Sequence, residues 1–584
     1  MTPKEVAQTL REIAQLLLLK GENTFRVRAY ETGAEAFEAL SPDPMAPGGL
    51  LERVRTGTLT DISGVGKGIA EKVEELVKTG TLKYLDELWT DLPRGALDLV
   101  RVQGVGPKKA LRLIRELDVG NLEDLERVVR EGKIRELKGF GEKSEKQIGE
   151  GIARLKSTSV RRPLWQTRPA AQKLLAKILA LPGVHAGAVA GSVRRFAETN
   201  GDLDLIVELK EGAQVEPVMD AFCEGAKELI GRGGTKASIR IAEPENLQAD
   251  LRVVSAGQFA TALHHFTGSK QHHVKLRAHA RQLGLTLSEY AVARLEDGSR
   301  LSIADETEFY AALQMAYIAP ELREDHGEIE LSLAQARGEG PGLPQVIERK
   351  DVRGLLHVHT KWSDGAHTIE DMARAAKAAG LSWLAITDHT VAAGTNPHMT
   401  AERLGEQAKE IAAVQQAVGI RVLRGVEVDI LKDGSLDLPD EVLKTLDVVI
   451  ASLHTRHGLD EAAQTERLAK ALSNPHVKIW GHPTGRLLGS REPTSMRMEE
   501  LLALCAKTGV AVECNGTPER LDLSAEWLRH ARTVGARVSI SVDAHAKEQV
   551  ENLDWAIGTA RRGWTDRERV VNAREADEFL KLWQ

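Results

Sequence analysis

The stretch Gly191–Leu209, GSVRRFAETNGDLDLIVEL, places Asp202 and Asp204 at the mouth of an apolar run. Residues two apart on a strand share a face, so both carboxylates point one way while Leu203 and Leu205 point the other. A lone Asp-x-Asp is most simply a solvated strand end, and Asn200-Gly201 is a good turn signal. Two neighbours change that reading. Asp250, in LQADLRVV (Leu247–Val254), sits in another strand-like run and can join the pair. Gly191 and Ser192 offer a tight turn with a hydroxyl, and Arg194 and Arg195 offer charge for a triphosphate. Three acceptor-only carboxylates repel one another unless cations lie between them. Two divalent ions, Mg2+ or Mn2+, about 3.5–4 Å apart meet that need and suit in-line phosphoryl transfer. The combination points to a nucleotidyltransferase.

The bulk numbers bound the rest. A chain of 584 residues exceeds one core, with 42% hydrophobic and 28% charged residues typical of a globular protein. A net charge of −7 advertises no global basic field, although local amides and lysines can still hold phosphates. Cys223, Cys505 and Cys514 show no paired spacing, which argues against a disulfide framework or a Cys-rich zinc site. The amphipathic, charged MTPKEVAQTLREI is unlike a signal peptide, and no apolar run approaches a membrane span. A cytoplasmic, nucleoid-associated monomer without membrane contact is expected.

Before the aspartates, one pattern recurs three times: ISGVGKGIAEKVEEL (62–76), VQGVGPKKALRLIREL (102–117) and LKGFGEKSEKQIGEGI (137–152). Each is an apolar residue, a Gly-x-Gly, a nearby lysine and an amphipathic helix. In a helix-hairpin-helix such a turn aims backbone N–H groups and a helix N-terminus at a phosphate. Contact of that kind reads the DNA backbone rather than its bases. Gly64, Gly66 and Lys67, Gly104, Gly106 and Lys108, and Gly139, Gly141 and Lys143 are the expected DNA contacts.

After residue 351, apolar strand-like runs alternate with helical segments, the pattern of a β/α barrel. Of the 18 histidines, 11 lie between His357 and His545. His357 and His359 share a strand face, Asp364 follows in a loop, and His389, Glu427, His454, His482, Asp543 and His545 all stand near strand ends. Imidazole and carboxylate together suit Mn2+, Zn2+ or Fe2+, and nine ligands are enough for two or three ions. His367, His398, His457, His476 and His530 have no such placement.

The first 320 residues or so resemble the DNA polymerase X family: GSVRRFAETNGDLDLIV looks like its palm motif and HHFTGSKQHHVKLRAHA (264–280) like its nucleotide-selecting region. The resemblance implies that Asp202, Asp204 and Asp250 hold two catalytic metals and that Ser192 and Arg195 bind the incoming triphosphate. It lines the same pocket with Gly191 and Gly201, sets His265, Phe266 and Gly268 beside sugar and base, and puts Arg277 near the template minor groove. Two positions depart from the pattern: His265 stands where many relatives have Tyr, and His273 where many have Asn. NTFRVRAYETGAEAF (23–37) resembles the family's lyase-type domain, which places Lys72 at the Schiff-base position with Tyr30 nearby. A phosphate contact is the plainer reading of Lys72, and Arg26 replaces a lysine common in lyase-active relatives. Residues 351–584 resemble the PHP (polymerase and histidinol phosphatase) domain, with all nine positions of its metal set filled.

The expected architecture is multidomain. Helical helix-hairpin-helix domains (1–92, lyase-like, and 93–160) precede an α/β nucleotidyltransferase palm (161–255) and a small α+β thumb-like domain (256–320). A linker (321–350) leads to a distorted TIM-like PHP barrel (351–584). The expected function is gap-filling repair synthesis from dNTPs on gapped or nicked DNA, with a 3′–5′ exonuclease or 3′-end phosphoesterase in the barrel and a dRP or AP lyase role open for Lys72. The competing reading is a PHP phosphatase of small phosphoesters with an accessory DNA-binding half.

Overall fold

The computed structural model describes residues 3–40, 49–100, 102, 104–159, 161–455 and 457–584. They form two compact units, Met1–Arg161 and Arg162–Gln584.

The first unit is helical. In the helix Pro3–Lys20, Val6, Leu10, Ile13 and Leu17 recur at helical spacing and are buried in one core with Phe37, Val73 and Leu113. The three glycine turns adopt one geometry: Gly64, Gly104 and Gly139 have φ of 91°, 94° and 86°, a region that side chains rarely adopt. Two residues later Gly66 and Gly106 cap the helices Lys67–Thr79 and Pro107–Leu117, and Gly141 precedes Glu142–Ser159. A Cβ at Gly66, Gly106 or Gly141 would meet nothing within 4 Å, so each helix start is open.

The second unit begins with a five-stranded sheet in the spatial order Val184–Val189, Asp202–Leu209, Gln248–Val254, Lys236–Arg240, Glu228–Arg232. Its pairs are antiparallel except Asp202–Leu209 with Gln248–Val254, which run parallel with Asp204 opposite Asp250. The alternate residues Leu203, Leu205 and Val207 turn inward and share a core with Leu164, Ala171 and Ile178 of the helix Leu164–Leu179.

Helices Phe259–Thr267, Lys270–Gln282 and Glu306–Ala312 and a short hairpin follow. The stretch expected to be a linker is largely built into the fold. Residues Glu328–Arg337 are helical, Ile329 joins the core of the preceding segment, and Arg323 is fully buried against Glu306. Its acidic residues pair with largely buried arginines, Glu321 with Arg561 and Glu324 with Arg195 and Arg562.

The barrel closes with seven parallel strands: Gly354–Val358, Trp383–Ile386, Arg421–Asp429, Val448–Ser452, Ile479–Trp480, Ala511–Asn515 and Val538–Ala544. That is one fewer than a regular eight-stranded β/α barrel. Nearly every strand residue is buried, the near-continuous apolar pattern of a sheet covered on both faces.

Palm and barrel pack within this unit. Arg486, 8% exposed, meets Glu198 of the palm through two hydrogen bonds of 2.7 and 3.0 Å. The Phe196 ring lies against Gly558, where a Cβ would overlap it, and packs edge-on to Trp555 with centroids 5.8 Å apart. Removing one partner of a buried ion pair leaves the other charge uncompensated. Glu198→Ala should therefore cost about 2–3 kcal/mol of stability, read by urea unfolding. Glu198→Gln, which keeps a hydrogen-bond acceptor, should lose less.

Candidate functional site

Parallel register brings Asp204 and Asp250 side by side, and Asp202 lies two residues before Asp204 on the same face. Gly191 has φ 61°, and a Cβ there would overlap the Asp204 carboxylate, so the turn approaches the aspartate as only glycine can. Burial, then the charges of Asp202 and Asp250, push Asp204 up to about 7. Asp250 is held by the Ser238 hydroxyl and by Gln248 Nε2 at 2.8 Å, which fix its carboxylate on the face it shares with Asp204.

Ser192 Oγ accepts from Asn200 Nδ2 at 2.9 Å, and Asn200 Oδ1 accepts from Thr167 Oγ1 at 2.6 Å. The buried Asn200 thus orients the serine, leaving the Ser192 hydroxyl hydrogen free to donate. Gly201 follows as the turn into the aspartate strand. The two arginines differ in use. Arg194 is spent on structure, bonded to Glu306 at 2.6 and 3.0 Å and to Thr267 Oγ1 at 2.7 Å. Arg195 bonds Glu324 at 2.8 Å and the Thr267 carbonyl, and a Cβ at Gly268 would lie 3.0 Å from its guanidinium. His265 packs edge-on against Phe266 with centroids 4.9 Å apart, and Arg252 covers Phe266 at 4.5 Å. His273 Nε2 meets the His265 carbonyl at 2.7 Å, so the two unusual histidines adjoin. Burial, then His265 and His272, push His273 down to about 3. Arg277 is exposed on the helix Lys270–Gln282.

In the helical unit Lys67, Lys108 and Lys143 are exposed at the open helix starts. Lys72 donates to the Gly68 carbonyl at 3.2 Å and lies 4.7 Å over the Tyr84 ring. Tyr84 stacks on Tyr30, centroids 6.3 Å apart, and accepts from Arg26 at 2.7 Å. Tyr84, which sequence reasoning did not single out, is the centre of this aromatic–cation group.

At the barrel mouth all nine expected residues converge. His359, Asp364, His389 and His545 form one group able to hold an ion, His357, His359, Glu427 and Asp543 a second, and His389, Glu427 and His454 a third. His482 joins through Nε2, 3.0 Å from Glu427 Oε1. Glu427 is central and fully buried, with His389 Nδ1 at 2.9 Å, His357 Nε2 at 3.1 Å and His454 Nε2 at 3.4 Å. Burial pushes its carboxyl up, but His357, His389 and His454 outweigh this and hold it well below the carboxylate range. Burial pushes His357 down, but Glu513, Glu427 and Asp543 raise it well above an ordinary imidazole.

The donor set fits divalent metal. The buried atoms His357 Nε2, both nitrogens of His359, His389 Nδ1, His482 Nδ1, Glu427 Oε2 and Asp543 Oδ1 have no hydrogen-bond partner among the described residues. Orphaned buried donors and acceptors are costly unless something coordinates them.

Three carboxylates outside the expected set orient its members. Glu513 takes His357 Nδ1 at 2.6 Å and the His482 backbone N–H, and Asp429 lies 3.1 Å from His454 Nδ1. Asp388 accepts from Thr360, Ser363 and Gln407, bracing the loop that carries Asp364. The signal was present: each is an acid inside or just after an apolar strand run, as Glu427 is.

Four family models match: a helix-hairpin-helix domain over residues 1–82, a SAM-like helix-hairpin-helix tandem over 96–154, a DNA polymerase beta thumb over 262–324 and a PHP domain over 356–517. The DNA polymerase/3′-5′ exonuclease PolX of Bacillus subtilis is 36% identical over 585 residues, all of both chains. A "Probable phosphatase" of Thermoanaerobacter sp. is 30% identical over 242 residues, 38% of this chain and 93% of that one. One from Vibrio cholerae is 31% identical over 243 residues, 39% and 92% respectively. Among the described residues no helix is long and apolar enough to cross a membrane.

Two outcomes follow from the geometry. Because Asp204 sits near 7 in the fold against an ordinary 3.8, its ionisation opposes folding, and stability is lost as pH rises from about 4 to 7. In EDTA, Asp204→Asn should melt about 2 °C higher than wild type at pH 8, and the gain should shrink toward pH 4; saturating Mg2+ should stabilise wild type only. Glu513→Gln should weaken Mn2+ or Zn2+ binding by about 10–100-fold in a chelator competition titration, the usual effect of removing a carboxylate that orients a ligating histidine.

Proposed function

The chain belongs to the DNA polymerase X family with a C-terminal PHP domain, and on that premise we propose that it is a DNA-directed DNA polymerase that fills gaps during repair and degrades 3′ ends with its barrel. One observation carries the reading. Asp202, Asp204 and Asp250 meet on one face of two adjacent inner strands, with the Gly191 turn against Asp204 and the Arg195 charge acting on it. No small-molecule phosphatase reading gives those residues a task, and the phosphatase relatives align with less than two fifths of the chain.

Asp202, Asp204 and Asp250 would hold two Mg2+ or Mn2+, and the nine barrel-mouth ligands two or three Mn2+, Zn2+ or Fe2+. Such ions supply Lewis-acid stabilisation of phosphoryl charge and acidify a bound hydroxyl or water. The protein's own groups do the rest. Ser192 keeps its proton for a phosphate oxygen, since its oxygen is already committed to Asn200. Arg195 swings from Glu324 to the triphosphate, and Gly268 leaves room for it. His265 and Phe266 face the sugar, where His265 in place of the usual Tyr alters how deoxyribose is selected. The hairpins hold the DNA backbone through open helix starts and the lysines Lys67, Lys108 and Lys143. Lys72, over Tyr84, contacts a DNA phosphate or the 5′ sugar. The protein acts as a cytoplasmic monomer at the nucleoid.

Two double variants separate the chemistries on end-labelled gapped DNA with Mn2+ or Mg2+, with and without dNTPs. Asp202→Asn with Asp204→Asn should lower extension by at least about a thousandfold while 3′ degradation continues. His357→Ala with His359→Ala should do the reverse. Extension surviving in the aspartate variant would refute the polymerase assignment.

A further inference from the structure

The palm's arginine turn is held by the barrel. Helix Leu553–Arg562 of the barrel presents Trp555, Gly558 and Arg562 to the palm. Arg562 Nη1 donates to the Arg195 backbone carbonyl at 2.9 Å and to Glu324 Oε1 at 2.6 Å. The same Glu324 oxygen accepts from Arg195 Nε at 2.8 Å. Two guanidiniums therefore share one carboxylate, and one of them also holds the backbone of the other. The three side chains are 14%, 17% and 18% exposed (Arg195, Glu324, Arg562), so the network is sheltered from screening. The next palm residue, Phe196, has φ 58° and fills the space that a side chain at Gly558 would take. Arg168 covers the other part of its ring at 4.7 Å. Arg195 thus has its main chain pinned and its neighbour inserted into the barrel helix.

We propose that Arg562 is a positioning residue for nucleotidyl transfer: through Glu324 and the Arg195 carbonyl, the barrel sets the palm's affinity for the triphosphate of the incoming nucleotide. The proposal rests on the polymerase reading above. The physical reason is competition. A triphosphate must take Arg195 from Glu324. With Arg562 present, the carboxylate keeps a cationic partner when Arg195 leaves. Without Arg562, Glu324 would be stranded, so it holds Arg195 more tightly, and the unpinned main chain adds freedom that binding must remove. Both effects weaken nucleotide binding, and neither touches the barrel-mouth ligands.

The test uses the full chain. Arg562→Ala should raise KM for dNTP in gap filling, and the Kd of a fluorescent dNTP on a dideoxy-terminated primer, by about tenfold, the weight of one weakened charge-assisted hydrogen bond. The kcat should stay within about threefold, and hydrolysis of bis-p-nitrophenyl phosphate by the barrel should be unchanged. Adding Glu324→Gln to Arg562→Ala should restore most of the affinity by releasing Arg195, which a merely structural defect would not do. Arg562→Lys, which retains the charge but cannot span both acceptors as well, should fall between and covers the case in which the alanine variant folds poorly. Unchanged KM and Kd in both Arg562 variants, or a joint fall of both activities that Glu324→Gln does not rescue, would overturn the proposal. Wild type that extends no gapped primer would instead bring down the polymerase reading on which it rests.

Discussion

Like charges brought together in a partly dry place are the constraint on which both centres of the second unit depend. In the palm, parallel register sets Asp204 against Asp250, and the glycine turn at Gly191 closes over the pair. The charges of Arg195 and Arg252 offset the repulsion only in part, since Asp204 still sits at about 7, and the bonds to Asp250 come from neutral Ser238 and Gln248. Cations are the natural complement of such an arrangement. The sheet, with Leu203, Leu205 and Leu251 fully buried beneath, holds the carboxylates in place against their own repulsion.

The barrel meets the same constraint differently. Glu427 is wholly buried, yet imidazoles from four other strand ends surround it, so the centre balances its own charge in part and leaves a set of lone pairs unmatched. Carboxylates behind them, Glu513 and Asp429, fix which ring nitrogen faces inward. A site of this kind is costly to fold without ions, and the dense apolar barrel beneath it supplies the stability that the mouth gives up.

Much of this was readable from residue order because the signals were periodic or repeated. Three Gly-x-Gly turns, a strand with aspartates two apart, and histidines placed at strand ends all follow from local rules of backbone geometry. What was not readable depends on tertiary contact. Tyr84 stands on the helix after that of Lys72 and meets it only through packing, Asn200 looks like a turn residue yet is buried against Ser192, and the adjacent Arg194 and Arg195 serve different partners. The segment after residue 320 reads as a linker because acids, glycines and prolines dominate it. Its role is decided by distant arginines, with Glu321 on Arg561 and Glu324 on Arg562. Composition cannot show that a charged run has buried partners.

The palm and barrel are therefore not independent modules joined by a tether. The segment between the Gly191 turn and the aspartate strand is fastened to the barrel twice, by Phe196 at Gly558 and by Glu198 at Arg486. Between those anchors lies only Ala197, and immediately beyond them lie Arg195 on one side and Thr199, Asn200 and Gly201 on the other. The residues that would grip a triphosphate and those that orient Ser192 thus hang from a three-residue stretch whose conformation the barrel dictates. A change at the barrel surface that shifted either anchor would be transmitted to the palm through covalent geometry, without any need for the two metal centres to move or to sense one another.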